Sequence, residues 1–179
     1  MTIRLAADLQ TDSIVDGEGI RTVIWTQGCS HNCFMCHNPE TQDFNGGDEV
    51  EIADVIDKIK KLQGQTGITF SGGDPMFQPH ACAQIAREIH KLGMNVWAYT
   101  GFTYEQVLKS KAMIEFLKQI DVLIDGKFIY ELKSYDALFR GSTNQRLIDV
   151  KKSLKENKVV LYEPHNSVKK EMKKQEIFI

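Results

Sequence analysis

The chain has no surplus of positive charge: 22 Lys and Arg stand against 24 Asp and Glu, for a formal charge of −2 and a pI near 6.2. That balance leaves no electrostatic footprint for nucleic acid. No uninterrupted apolar run approaches the ~20 residues of a membrane-spanning helix. Met1 to Gln10 carries Arg4 and Asp8 where a signal peptide would have its apolar segment. The expectation is therefore a soluble, cytoplasmic protein. Internal repeats and low-complexity linkers are missing as well, and 179 residues with 42% hydrophobic content suffice for one core and one domain. Cysteine is scarce at four residues. Three of them, Cys29, Cys33 and Cys36, fall in one short run, and clustered thiols in a reducing compartment point to metal or catalysis more than to disulfides.

What is present alternates between strand-like and helical patterns. Ile20 to Thr26 is rich in β-branched residues and ends just before the cysteines. Val50 to Leu62 places Ile52, Val55, Ile56, Ile59 and Leu62 at helical spacing, with Asp and Lys opposite. Gly67 to Phe70 reads as a strand ending in Ser71-Gly72-Gly73-Asp74-Pro75, followed by a helix from Pro79 to Gly93. Met94 to Tyr99 gives a strand ending in Thr100-Gly101; Tyr104 to Lys118 a helix broken near Ser110; Asp121 to Ile124 a strand ending in Asp125-Gly126. Repeated βα units argue for a parallel sheet with right-handed crossovers. Function collects at the carboxyl ends of such strands, and four motifs distant in sequence would meet on that rim.

A complete eight-stranded barrel takes at least ~200 residues, so the expected fold is α/β, an incomplete (partial) parallel βα barrel over residues 1–162. Lys127 to Gln145 reads as a long loop with a short helix at Tyr135 to Phe139, and Val159 to Leu161 as a late strand. Residues 163–179 form a polar tail with Lys169, Lys170, Lys173 and Lys174, read as a solvated charge run or, alternatively, a binding segment.

The spacing C-x3-C-x2-C offers three thiolates to a four-iron cluster and leaves the fourth iron without a protein ligand. Electron-carrying four-iron clusters are closed by four cysteines, and structural zinc sites by four Cys or His. Cys82 is either a fourth ligand from a distant helix or a small core residue. His31 and His37 either complete a zinc site with the triad, giving a metal-stabilised binding protein, or face solvent. In the Ser71–Pro75 turn, Gly72 and Gly73 allow close backbone approach to a ligand, and Asp74 can pair with an ammonium group; the competing reading is a plain tight turn.

Together these motifs resemble the radical S-adenosylmethionine (SAM) enzymes. The residues Asp16-Gly17-Glu18-Gly19-Ile20-Arg21, the run Gln27 to Thr41 and Ser71–Pro75 are similar to glycyl-radical activating enzymes. Tyr99-Thr100-Gly101-Phe102, Asp121 to Gly126 and Arg140-Gly141-Ser142-Thr143-Asn144-Gln145-Arg146 are similar to the branch that activates anaerobic (class III) ribonucleotide reductase, with coverage from Ser13 to Asp149. The resemblance implies that Cys29, Cys33 and Cys36 hold a [4Fe-4S] cluster at which SAM is cleaved reductively, and that the product radical takes hydrogen from a glycine of the reductase large subunit. It implies a low-potential donor such as flavodoxin or ferredoxin. By position it also implies adenine contacts at Met35 and His37 and further SAM contacts at Cys36, Gly72, Gly73, Asp74, Thr100 and Gly101. Members often carry an aromatic residue just before the third cysteine; here Met35 stands there and Phe34 one place earlier, with a core-filling role the competing reading for Met35. Activation of pyruvate formate-lyase or another glycyl-radical enzyme is the alternative within the superfamily. Arg140 and Arg146 are candidates for partner docking, the competing reading being that Asn144, Gln145 and Arg146 hold the long loop.

Overall fold

The computed structural model describes residues 1–165; the lysine-rich stretch from Lys169 to Lys174 lies outside the described residues. The elements are β1 (Thr2–Leu5), β2 (Gln10–Ser13), β3 (Arg21–Thr26), β4 (Asp48–Glu51), α1 (Ile52–Lys60), β5 (Gly67–Gly72), α2 (Pro79–Lys91), β6 (Asn95–Tyr99), α3 (Tyr104–Val107), α4 (Lys111–Leu117), β7 (Val122–Asp125), β8 (Arg146–Asp149) and α5 (Val150–Glu156). They build one mixed sheet in the order β4-β1-β3-β5-β6-β7-β8, with β2 paired to β3 off that path.

Its centre is parallel, as the βα alternation requires: β3 pairs β5, β5 pairs β6 and β6 pairs β7, all in the same direction. The flanks depart from the expected all-parallel sheet. β1 runs antiparallel to both β3 and β4, β2 antiparallel to β3, and β8 antiparallel to β7. These flanking strands are four residues each, and β2 (QTDS) and β4 (DEVE) are almost wholly exposed. They lack the apolar runs that mark a strand buried on both faces.

Side-chain alternation divides the central strands between two apolar layers. Ile24, Ile68, Phe70, Val96, Ala98, Leu123 and Ile148 belong to the main core with α1, α2 and α4. Trp97, Val122, Ile124 and Leu147 point to the opposite face, where Tyr99, Phe139 and Tyr162 pack on them. The second face is thus covered by the 127–145 loop and the segment after α5 in place of helices. That cover brings Phe139 toward the carboxyl ends of β6 and β7.

Local chemistry explains the boundaries. α1 starts at Ile52 and not at Val50 because Val50 pairs with Ile3 across β1 and β4. The expected break near Ser110 is there: Ser110 accepts from Met113 N–H at 3.4 Å and caps α4. No helix forms at Tyr135 to Phe139, which is bend and turn, with Phe139 at φ 58°; a single 3-10 turn sits earlier, at Tyr130–Leu132. The expected strand at Val159 to Leu161 reduces to one bridge between Leu161 and Ile148, flanked by Asp149 N–H to Val160 C=O (2.9 Å) and Tyr162 N–H to Leu147 C=O (2.8 Å).

Arg21 is fully buried at the start of β3. Its guanidinium donates to Thr69 Oγ1 (2.7 Å), Asn95 Oδ1 (2.8 Å), the Glu18 carbonyl (3.0 Å) and the Ile68 carbonyl, and lies 5.1 Å from the Trp97 ring centroid. The residue therefore ties the Asp16–Arg21 motif to the sheet. Arg21→Met keeps volume but strands several buried acceptors, so it is expected to destabilise by about 2–4 kcal/mol, read as a lower urea midpoint at unchanged m-value.

Candidate functional site

The cysteine loop begins where β3 ends, and its stem is held on two sides. Gly28 N–H donates to Thr41 C=O (2.8 Å) and Cys29 N–H to Gln42 C=O (3.0 Å); from β5, Gly73 N–H donates to Thr26 C=O (2.7 Å) and Asp74 N–H to Gly28 C=O (3.0 Å). Gln27 adds side-chain bonds to the Asp43 and Glu40 carbonyls at 2.6 and 3.2 Å. The backbone around the first cysteine is therefore fixed against the Ser71–Pro75 turn before any ligand is considered.

A cavity of about 380 Å³ opens beside this crossing, and Cys29, Cys33 and Cys36 all line it together with His37, Gly72, Gly73, Thr100 and Gly101. Motifs from four strand ends thus share one wall. Trp25, Tyr99, Phe128 and Phe139 supply its apolar surface, and Asp16 and Arg140 its charge. Sequence reasoning passed over Trp25, Phe128 and Phe139. Their only signal was position: Trp25 near the end of β3, Phe128 just past the Asp125-Gly126 turn.

The three thiols are half-buried and unpaired. Burial pushes the Cys29 thiol up to about 11, with the negative charge of Asp74 adding to it, and burial also raises Cys33. Metal binding at these sulfurs must therefore displace protons. Three cysteine sulfurs facing one cavity are the donor set that a three-coordinated iron–sulfur cluster requires. A mononuclear zinc site completed by His31 is less well served, because its Nε2 is spent on Asp74 at 2.7 Å. Cys82 is fully buried among the core residues of α2, with burial pushing its thiol well up. It lines no part of the cavity, as the core reading requires.

Two residues expected to touch the ligand are not in the cavity lining. Met35 is 58% exposed, in a left-handed conformation (φ 53°), and is not part of the cavity wall. Its side chain does not fill the core. Asp74 is only 1% exposed and lies beneath the wall, bonded to the protein itself. His37 stands on the wall, 4.4 Å from the Phe128 ring centroid, and burial, with nearby Lys133, holds its pKa below the ordinary value.

The Arg140–Arg146 segment resolves into two roles. Gln145 Oε1 accepts from Gly141 N–H (2.9 Å) and Ser142 N–H (3.2 Å), its Nε2 donates to Gly126 C=O (2.9 Å), and Asn144 Nδ2 donates to Lys127 C=O (2.8 Å). Arg146 is gripped by Asp125 (Nε to Oδ1, 2.9 Å) and by Glu105 (2.9 and 3.1 Å). These three residues hold the loop to β7, and Arg146 has little left for a docking partner. Arg140 differs. It donates Nη1 to the Gln145 carbonyl at 3.1 Å, lines the cavity, and buries its Nε without a partner.

Hydrogen bonds from Arg146 hold the Glu105 carboxyl down at about 2, below its ordinary 4.5. A lowered carboxylate contributes stability that is complete above its unfolded-state pKa and is lost as pH falls through the folded value. The stability difference between wild type and Glu105→Gln should therefore be full at neutral pH and shrink between about pH 4.5 and 2. Because Glu105 is 56% exposed, the difference will be small and salt-sensitive. Urea titrations across that range check it.

Comparison with known proteins places the chain. The family described as "4Fe-4S single cluster domain" matches residues 15–148. The anaerobic ribonucleoside-triphosphate reductase-activating protein of Escherichia coli K12 is 33% identical over 144 residues, covering 74% of this chain and 90% of that protein. The protein of the same name from Vibrio cholerae is 35% identical over 144 residues, with 74% and 89% covered. The one from Enterobacteria phage T4 is 32% identical over 140 residues, with 74% and 86% covered. Among solved structures, QueE from Escherichia coli superposes with a TM-score of 0.48 at 14% identity, over 57% of this chain and 54% of that one. With a cluster-domain match across most of its length and relatives of one name aligned over three quarters of it, the chain belongs to the family of anaerobic ribonucleoside-triphosphate reductase-activating proteins.

Proposed function

We propose that this chain is a radical SAM activating enzyme that places a radical on a glycine of the anaerobic ribonucleotide reductase large subunit. The observation that carries this reading is the convergence of Cys29, Cys33, Cys36, Gly72, Gly73 and Thr100 on one cavity at the carboxyl ends of parallel strands. Family membership favours the reductase over pyruvate formate-lyase or another glycyl-radical enzyme as the target.

In this reading the three cysteine sulfurs hold a [4Fe-4S] cluster and leave one iron open to SAM. A cluster held by these cysteines would supply the low-potential electron for reductive cleavage of SAM, the chemistry by which hydrogen would be taken from the glycine Cα. The chain's own residues bind and shield. Gly72 and Gly73 present bare backbone to the ligand. Arg140 offers a buried, unsatisfied donor suited to a carboxylate. His37 stands where an adenine could lie, and Trp25, Tyr99, Phe128 and Phe139 exclude water.

The four parallel strands with their rim form, in this account, an incomplete barrel of the radical SAM type over residues 1–162. An open-sided barrel admits a loop of a protein substrate. No helix among the described residues is long and apolar enough to cross a membrane. The reading places the enzyme in the cytoplasm, supplied with electrons by flavodoxin or ferredoxin. Anaerobic reconstitution with iron and sulfide, followed by strong reductant and SAM, tests the chemistry. Formation of 5′-deoxyadenosine is expected; a protein that takes up zinc without sulfide and cleaves no SAM would restore the metal-stabilised binding protein.

A further inference from the structure

The Asp74 side chain accepts four hydrogen bonds. Its Oδ2 accepts from His31 Nε2 (2.7 Å), Thr100 Oγ1 (2.8 Å) and Gly101 N–H (2.9 Å), and its Oδ1 from Met76 N–H (2.9 Å). A carboxylate has about four acceptor sites, and this one is 1% exposed. Three of its four donors crowd Oδ2, and at 1% exposure neither oxygen is open to a ligand ammonium from the cavity.

The donors come from separate parts of the chain. His31 lies between Cys29 and Cys33; Thr100 and Gly101 follow β6; Asp74 follows β5. The histidine is also held by shape: its ring meets Phe102 edge-on at 4.6 Å, sits 5.8 Å from Phe77, and lies where a Cβ on Gly101 would come within 2.4 Å of Cδ2. Because its partner is a carboxylate, the bonded Nε2 carries the proton. Lys127 Nζ donates to the His31 carbonyl at 3.2 Å, so the loop between the first two cysteines is pinned at side chain and backbone.

We propose that Asp74 is a positioning residue that acts through His31, setting the Cys29–Cys33 loop in register with the Gly72–Gly73 and Thr100–Gly101 walls, without itself touching SAM. This rests on the cavity being the cluster and SAM site. Outer partners that orient metal ligands typically change metal affinity or activity by 10–100-fold when removed, and one shared carboxylate should transmit such a change from the cysteine loop to the SAM wall.

The test compares anaerobically reconstituted wild type, Asp74→Asn, His31→Ala, the double variant and His31→Gln. Iron and sulfide content, the dissociation constant for SAM, and the electron paramagnetic resonance line shape of the reduced cluster with and without SAM are measured. The expected result is that Asp74→Asn and His31→Ala each weaken SAM binding roughly 10–100-fold and alter the SAM-induced line shape. The double variant should bind no more weakly than Asp74→Asn, and His31→Gln, which restores a donor at the same reach, should recover most of the loss. Two results overturn the proposal: SAM binding lost in Asp74→Asn but intact in His31→Ala, which would make Asp74 a direct ligand contact, or losses that add in the double variant. A wild type that loads its cluster yet binds no SAM would instead overturn the reading of the cavity, and it shows in the wild type alone.

Discussion

Alanine at any one of Cys29, Cys33 or Cys36 is expected to reduce cluster loading and SAM cleavage by at least about 100-fold, while Cys82→Ala keeps most of both. The asymmetry follows from what surrounds each thiol. The three loop cysteines share a cavity wall, where His31 is bonded to Asp74 and His37 is packed against Phe128. Cys82 sits fully buried on α2 within the apolar core. Its truncation removes one sulfur from a packed interior, a cost of about 1 kcal/mol that a thermal melt would register without loss of iron. Iron and sulfide content after reconstitution separates the two classes, and wild-type loading in Cys33→Ala would contradict the ligand assignment.

Gly73→Ala should damage the site as severely from the opposite wall. A Cβ there would stand 2.4 Å from the Gly28 carbonyl oxygen and 2.8 Å from that of Thr41. Both obstacles are backbone, and neither can yield independently. Gly28 N–H is bonded to Thr41 C=O at 2.8 Å, and Asp74 N–H to Gly28 C=O at 3.0 Å. The crossing of the cysteine stem with the β5 turn has to open, at about 1–3 kcal/mol of overpacking, and Cys29 moves away from the glycine wall as it does. The expected outcome is at least a tenfold weaker affinity for SAM, about 1.4 kcal/mol, with reduced cluster retention. Gly64→Ala is the control: its φ is +77°, but no atom lies within 4 Å of the added Cβ. That change should cost stability through backbone strain alone and leave loading and binding intact. Equal loss of SAM affinity in both variants would show that the close crossing has no special role.

The residues that made the site legible were those whose chemistry and spacing act locally. Three cysteines on one loop, and strand-end turns rich in Gly and Asp, identify themselves without knowledge of the partners they meet. The parallel centre was equally readable, because β3, β5, β6 and β7 are buried on both faces and carry continuous apolar runs. The flanks were not. Nothing in Asp48-Glu49-Val50-Glu51 suggests a strand until β1 is there to pair with it, and helical spacing from Val50 onward masked the boundary. The loop from Lys127 to Gln145 lacks any sustained period because side-chain bonds from Asn144, Gln145 and Arg146 hold it, with only one 3-10 turn and one isolated bridge of regular structure.

Asp74 shows the limit most clearly. A carboxylate after two glycines reads as a ligand contact, and only the fold reveals the bonds it accepts from His31, Thr100, Gly101 and Met76. Long-range hydrogen bonds of this kind have no sequence signature. Arg146 is a similar case: its charge suggested a docking surface, and Asp125 and Glu105 claim it.

The most direct test of the activating-enzyme account is electron paramagnetic resonance of the anaerobic reductase large subunit after anaerobic incubation with this protein, loaded with iron and sulfide, plus SAM and a low-potential reductant. The account predicts a glycyl-radical signal on the large subunit that requires SAM and disappears with the Cys33→Ala protein. A fully loaded, SAM-cleaving protein that produces no such signal on the reductase would contradict it.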